Sequence, residues 1–311
     1  MNITVIQTAF LGDVLLSLPL FVGLRKTYPD ARLVLVTTPS AAAFVRGLGI
    51  ADEVVAFDKR GVHATAAARR DLAEQLRAAS QHIVIVPHRS WRTMLLVRAL
   101  EADRVITFST AMTRWVATDV VPYPAHLHDA DRQLALLGPL IDPVPSALEC
   151  VPMRLWTDDD AASVADRLPS GPFAVLAPGS AWPTKQWPAS GFDALATRFV
   201  ADGWSVVVIG DAAAAGAVPA RSGVVNLCGA TTLREAAAVL ARANVVVSND
   251  SAPVHLASLQ QVPVVTIFGP TVPEFGFAPF GPRTAIVQRT DLRCRPCSPH
   301  GTKTCPLGTH A

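Results

Sequence analysis

Short apolar runs rich in Val and Ile alternate with Ala- and Leu-rich stretches along most of the chain. In the first half, residues 3–7, 33–37, 53–57, 83–86 and 104–107 have the composition of strands, and residues 14–26, 40–48, 64–79 and 90–100 that of helices. Strand, helix, strand at this spacing predicts repeated βαβ units on a parallel sheet. The strand runs are apolar throughout instead of alternating, as expected of strands covered on both faces. A second series places strands at 173–177, 205–209, 224–227, 245–248 and 264–268, with helices at 188–201, 233–242 and 253–260. Between the series, residues 141–152 hold Pro143, Pro145 and Pro152 and read as a linker. The pattern predicts an α/β protein of two doubly wound, Rossmann-like domains, 1–145 and 146–311, facing each other across a cleft. Residues 270–311, rich in Pro, Gly and Cys, are expected to be irregular.

Composition narrows this picture without redirecting it. Half of the 311 residues are hydrophobic and 17% are charged, which fits a folded α/β protein and excludes disorder. A net charge of +2 gives no reason to expect a nucleic-acid partner. No apolar run approaches the roughly 18 residues needed to span a bilayer. Residues 14–24 are too short for that, contain Pro19 and follow Asp13, so neither a signal peptide nor an anchor is expected. Five cysteines, three near the C-terminus, do not form a secreted disulfide framework. The expectation is a cytoplasmic protein.

In open α/β sheets, ligands bind beyond the carboxyl ends of the strands. The first loop so placed is Thr8-Ala9-Phe10-Leu11-Gly12-Asp13. Gly12 would allow a tight turn, and Asp13 would sit at or near a helix start. Two roles stay open for Asp13: a helix cap, or a general base accepting a proton from an attacking hydroxyl. No Glu or Gln follows three positions later to form a capping box. Pro19 implies that the helix starts after Asp13 or bends past its first turn.

The second loop runs from Ala177 through Pro178-Gly179-Ser180 to Lys185-Gln186-Trp187-Pro188. Gly179 and Ser180 could offer backbone N–H groups and a hydroxyl to phosphate oxygens. Lys185, one of four lysines, could neutralise a diphosphate leaving group. The alternative is a surface loop with two tryptophans at its base. There is no P-loop pattern. In the third loop, Asp250 or Ser251 could cap a helix with Pro253 in its first turn, and that N-terminus would favour an anion such as pyrophosphate. His255 lies one turn beyond Ser251. Arg89 and Arg92, after the fourth strand, could pair with an anionic acceptor or belong to a solvated helix start. Gly210 and Asp211 are a weaker nucleotide-pocket candidate. Cys294, Cys297 and Cys305, with His300 and His310 nearby, have metal-like spacing but lack a second paired knuckle, so reduced thiols are expected instead of zinc.

Together these loops resemble the family of ADP-heptose:lipopolysaccharide heptosyltransferases. The resemblance is carried by Leu11-Gly12-Asp13-Val14 with Pro19, by Pro178-Gly179-Ser180 with Lys185-Gln186-Trp187-Pro188, by Asn249-Asp250-Ser251 with His255-Leu256-Ala257, and by Phe268-Gly269-Pro270-Thr271. The second-loop form is more similar to the second heptosyltransferase than to the first. The resemblance implies a GT-B fold, an acceptor-binding N-terminal domain and a donor-binding C-terminal domain. It also implies inverting, metal-independent transfer of heptose from ADP-heptose to the lipopolysaccharide inner core, with no cofactor. On that pattern Asp13 matches the base and Lys185 the basic residue near the donor diphosphate. Gly179, Ser180, Gly210, Asp211, Asp250, Ser251 and His255 would face the donor, and Gly12, Arg89 and Arg92 the acceptor. A lipid-linked acceptor implies peripheral association with the cytoplasmic face of the inner membrane, although no amphipathic anchor is found. Members of the family continue past the cysteine-rich segment with a helix, whereas this sequence stops at Ala311. Alternatives are another sugar-nucleotide transferase, a sugar-nucleotide epimerase of the same fold, or a silent nucleotide-binding protein. A dehydrogenase is disfavoured because no G-x-G-x-x-G follows the first strand.

Overall fold

The computed structural model describes residues 1–77, 81–151, 153–305 and 307–308. Parts of the expected helix 64–79 and linker 141–152, together with His310, lie outside the described residues. The chain divides into two compact units, Met1–Cys150 and Val151–Ala311.

The first unit runs β1 (Asn2–Gln7), α1 (Leu11–Thr27), β2 (Arg32–Thr37), α2 (Pro39–Val45), β3 (Glu53–Ala56), α3 (Ala66–Leu76), β4 (His82–Val86), α4 (Trp91–Leu100), β5 (Arg104–Phe108), β6 (Asp119–Val121) and α5 (Asp129–Leu134). All six strands pair in parallel in the order β3-β2-β1-β4-β5-β6. This is the doubly wound order, whose direction reverses between β1 and β4. On one face Ile6, Val34, Val84 and Val86 pack beneath Leu72 and Leu76 of α3 and Leu96 and Leu100 of α4. Their neighbours Val5, Leu35 and Ile85 point the other way and are equally buried. Burial on both faces is why the strands lack polar alternation.

The second unit runs α6 (Asp158–Ala165), β7 (Phe173–Ala177), α7 (Ala189–Ala201), β8 (Ser205–Val208), β9 (Val224–Asn226), α8 (Leu233–Ala241), β10 (Val245–Asn249), α9 (Ala252–Leu259), β11 (Val264–Phe268) and β12 (Thr284–Gln288). Its sheet, β12-β11-β10-β7-β8-β9, repeats the same topology, with the reversal between β7 and β10. Capping boxes start two of its helices, Thr157 with Asp160 on α6 and Thr232 with Glu235 on α8.

Several expectations need correction. Strands β6 and β12 and helices α5 and α6 were not expected. β6 has three residues, and β12 is a largely exposed edge strand inside the stretch expected to be irregular. Helix α1 begins at Leu11, before Asp13, and continues through Pro19 to Thr27. Gly12 therefore sits within the first helical turn, and the chain turns instead at extended Phe10, whose carbonyl accepts the Val14 N–H. A proline mid-helix costs one hydrogen bond. Here that loss is offset by burial, since residues 14–21 are wholly enclosed. Neither compact unit contains a helix long and apolar enough to cross a membrane among the described residues.

Candidate functional site

In the first unit, the loops at the carboxyl ends of β1, β3 and β4 are tied together. The Lys59 ammonium donates to the Thr8 carbonyl at 2.8 Å and lies 3.3 Å from both the Thr8 hydroxyl and His88 Nε2. Burial, with Lys59 and Arg89 alongside, pushes the His88 pKa down to about 4. The imidazole is thus neutral, and its Nε2 accepts from Lys59. Burial, with Arg60 and Arg92 nearby, lowers the pKa of Lys59 itself.

Asp13 lies in the first turn of α1, and its carboxylate accepts a backbone hydrogen bond from Phe10, the N-cap residue, so the cap role and the base role are not exclusive. Burial, reinforced by the Asp129 carboxylate, pushes its pKa up to about 6, although its own and the Phe10 backbone and the Arg89 charge act in the opposite direction. Asp129 comes from the first turn of α5 and is itself raised by burial. Gln133, one turn along α5, donates to Asp129 Oδ2 at 2.7 Å and to the Asp13 carbonyl at 3.3 Å. Its own oxygen accepts from Gln7 at 3.2 Å, and Gln7 accepts the Ala9 N–H. This chain of buried amides fixes the β1–α1 loop to α5. The Arg89 guanidinium stacks 4.2 Å from the centre of the Tyr123 ring, and Arg92 lies 4.8 Å from that of Trp91.

In the second unit, Asn249 at the end of β10 is fully buried. It donates to the Pro178 carbonyl at 2.7 Å and accepts the Trp187 N–H at 2.9 Å, holding both ends of the loop after β7. Within that loop the Trp182 N–H reaches the Ser180 hydroxyl at 3.2 Å. Lys185 approaches Asp250 Oδ2 at 2.6 Å, and the Thr271 hydroxyl donates to the same oxygen at 2.7 Å. Ser251 occupies the N-cap position of α9, but its hydroxyl turns to the carbonyls of Gly179 and Asn249. Capping therefore explains neither Asp250 nor Ser251, because each side chain is committed elsewhere. Asp211 does cap, accepting the Ala214 N–H at 3.1 Å, and a Cβ on Gly210 would meet Ala214 at 2.9 Å. His255 is buried in α9.

The C-terminal stretch is bonded to this site. Thr184 and Thr302 exchange hydrogen bonds of 2.7 and 2.8 Å, and Arg295 donates to the Thr271 carbonyl. All five cysteines are free thiols, and burial raises the pKa of Cys297. Among the described residues, no group of three or more His, Cys, Asp or Glu side chains is placed to hold a metal ion.

The structure thus brings Lys185, Asp250, Ser251 and Gly179 together, and separately draws Asp13 and Arg89 toward Asp129. The sequence reading missed Gln7, Lys59, Tyr123, Asp129 and Gln133, and gave His88, Asn249 and Thr271 no role. Lys59 was findable, because it follows β3 on the same sheet edge as the loops already singled out. Asp129 and Gln133 reach the site from a helix with no local signature.

Residues 69–308 match the model of glycosyltransferase family 9 (heptosyltransferase). Relatives include proteins named heptosyltransferase 1, 2 and 3. Lipopolysaccharide heptosyltransferase 2 of Salmonella typhimurium is 26% identical over 88% of this chain and 84% of its own. The stretch shared with the heptosyltransferase 1 of Pseudomonas aeruginosa covers only 39% of that protein. Among solved structures, a family 9 glycosyl transferase from Veillonella parvula superposes with TM-score 0.82 at 24% identity, over 94% of this chain and 88% of that one. The E. coli heptosyltransferase WaaC with ADP superposes with TM-score 0.73 at 21% identity, over 93% of each chain. These likenesses identify the fold as GT-B. With the family model spanning most of its length, the chain belongs to glycosyltransferase family 9, the heptosyltransferases, and is a glycosyltransferase.

Proposed function

We propose that the protein transfers heptose from ADP-heptose to a sugar hydroxyl of the lipopolysaccharide inner core, with inversion and without a metal ion. The observation that carries this reading is Asp13, a carboxylate at the carboxyl end of β1 whose pKa of about 6 suits a base near neutral pH. Asp13 deprotonates the acceptor hydroxyl, whose oxygen attacks the anomeric carbon while ADP departs from the opposite face. Lys185, held by Asp250, retains two further N–H donors for the leaving diphosphate. Gly179, Ser180 and Ser251 line the same loops, and the N-terminus of α9 adds a favourable field for an anion. Arg89 and Arg92 serve the anionic acceptor. The ADP donor is further supported by the ADP named with the E. coli neighbour. The relatives named heptosyltransferase 2 support the reading of the second loop as the form of the second heptosyltransferase.

Calorimetric titration with ADP, UDP, GDP, CDP and NAD, without added metal, tests the donor. Selective ADP binding followed by turnover of ADP-heptose on core acceptors is expected. A preference for UDP would move the reading to another sugar-nucleotide transferase or an epimerase. Asp13→Asn should keep ADP affinity and lose turnover, and a variant that turns over normally would remove Asp13 as the base.

A further inference from the structure

Residues 295–302, which follow β12, are anchored on both sides of the Lys185–Asp250 pair. On the aspartate side, the Cys297 N–H donates to the Pro270 carbonyl at 2.8 Å. Arg295 donates to the carbonyl of Thr271, whose hydroxyl bonds Asp250. On the lysine side, the Thr184 hydroxyl donates to the Thr302 carbonyl at 2.7 Å and accepts the Thr302 N–H at 2.8 Å.

Two glycines let the backbone close in on Lys185. Gly301 is buried and has a φ of +87°, a conformation that glycine adopts without steric cost. A Cβ on Gly301 would lie 3.1 Å from Lys185 Cγ, 3.4 Å from Lys185 Cε and 3.2 Å from Trp182 Cβ. A Cβ on Gly269, after β11, would lie 3.2 Å from the Thr184 carbonyl oxygen and 3.9 Å from Lys185 Cα. The lysine is thus bounded at its backbone by Gly269, along its stem by Gly301 and at its tip by Asp250. A segment that only covered the loop would tolerate a methyl group at 301, and this one has no room for it. A lysine stem loses rotamer freedom when its ammonium is committed to an anion. A wall against the stem removes that freedom before the anion arrives, which favours binding through preorganisation.

We infer that residues 297–302 form a strap that positions Lys185 for the donor diphosphate, with Gly301 setting the path of the lysine stem. The inference rests on the role proposed for Lys185. Gly301 acts through that side chain and is a positioning residue, needing no contact with the diphosphate itself.

A double-mutant cycle read by calorimetry on the full chain tests it, with ADP and, separately, inorganic pyrophosphate as ligands. Gly301→Ala should weaken ADP binding roughly fivefold or more, the scale of coupling between residues in contact. Thr184→Val, which releases Thr302 without touching Gly301, should do the same and keeps the test open if alanine at 301 prevents folding. In a Lys185→Met background each change should add less than about a twofold loss, because no ammonium remains to be misplaced. Gly171→Ala, where a Cβ meets nothing within 4 Å, should bind like the unaltered chain. The inference is overturned, with the role of Lys185 intact, if Lys185→Met weakens binding but the strap variants do not. It is equally overturned if they weaken binding as much without the lysine as with it, or if Gly171→Ala matches them. Binding of pyrophosphate but not ADP would remove the ADP donor and leave the strap to be judged on pyrophosphate. Binding of neither, or full binding by Lys185→Met, would remove the strap together with the role of Lys185.

Discussion

Lys185 and Asp250, 65 residues apart, meet at 2.6 Å where the loops after β7 and β10 converge. The ammonium is 13% exposed and the carboxylate 5%. Removing one partner of such a pair leaves the other charge nearly buried, at a cost of about 3–5 kcal/mol, whereas removing both charges is far milder. Lys185→Met should therefore lower stability in urea by about 3 kcal/mol and weaken ADP binding at least tenfold. Adding Asp250→Asn should recover much of the stability while leaving ADP binding weak. If the two changes prove additive in urea, the pair is not coupled.

Asp13 makes the opposite trade. Its pKa is about 6 in the folded chain, against an ordinary value of about 3.9 when unfolded. Between those values the folded state holds the extra proton, so stability falls as pH rises from about 4 to 6. At pH 7 the ionised carboxylate costs the fold up to about 3 kcal/mol. Asp13→Asn should accordingly raise the melting temperature at pH 7 and leave it little changed at pH 4. In the unaltered enzyme, kcat/KM should decline below about pH 6 as the base takes up its proton. A Tm difference that does not vary with pH would contradict the linkage.

Asp129 extends that argument, because its charge is among the causes that raise Asp13. Asp129→Asn removes the like charge but keeps a side chain that packs on Gln133, so the acidic limb of the kcat/KM profile should move to lower pH. A merely structural defect would lower activity evenly across the profile. Gln133→Leu should act differently: it leaves the Gln7 amide and the Asp129 oxygen without their buried partner, at about 1–3 kcal/mol for each unsatisfied group. Its signature is a loss of stability in urea.

The alternation of apolar runs and helical stretches was enough to read two βαβ series, because strands buried on both faces carry a strong local signal. β12 escaped because Ile286 and Val287 lie on an exposed edge, where no burial pattern is imposed. α6 was missed although Thr157 and Asp160 have capping-box spacing. For the candidate site, loop position at the sheet edge was enough to single out Asp13, Lys185 and Asp250 as candidates. It did not reveal that Lys185 and Asp250 pair, nor that Asn249 clamps both ends of the loop between them. Those relations span 62 residues or more and exist only once β7 and β10 lie side by side.

His88 offers the last test, through a proton it declines. Its folded pKa of about 4 lies below the ordinary 6.5 or so of an unfolded histidine. The unfolded chain therefore binds the proton first, and stability falls as pH drops from about 6.5 to 4, by about 3 kcal/mol at most for this half-buried group. His88→Asn keeps a side-chain acceptor for Lys59 and cannot titrate, so its stability should vary less over that window. Directly, the His88 imidazole resonances should stay constant from pH 8 to 5. A midpoint near 6.5 for His88 would mean that burial, with Lys59 and Arg89 alongside, does not hold the ring in its neutral form.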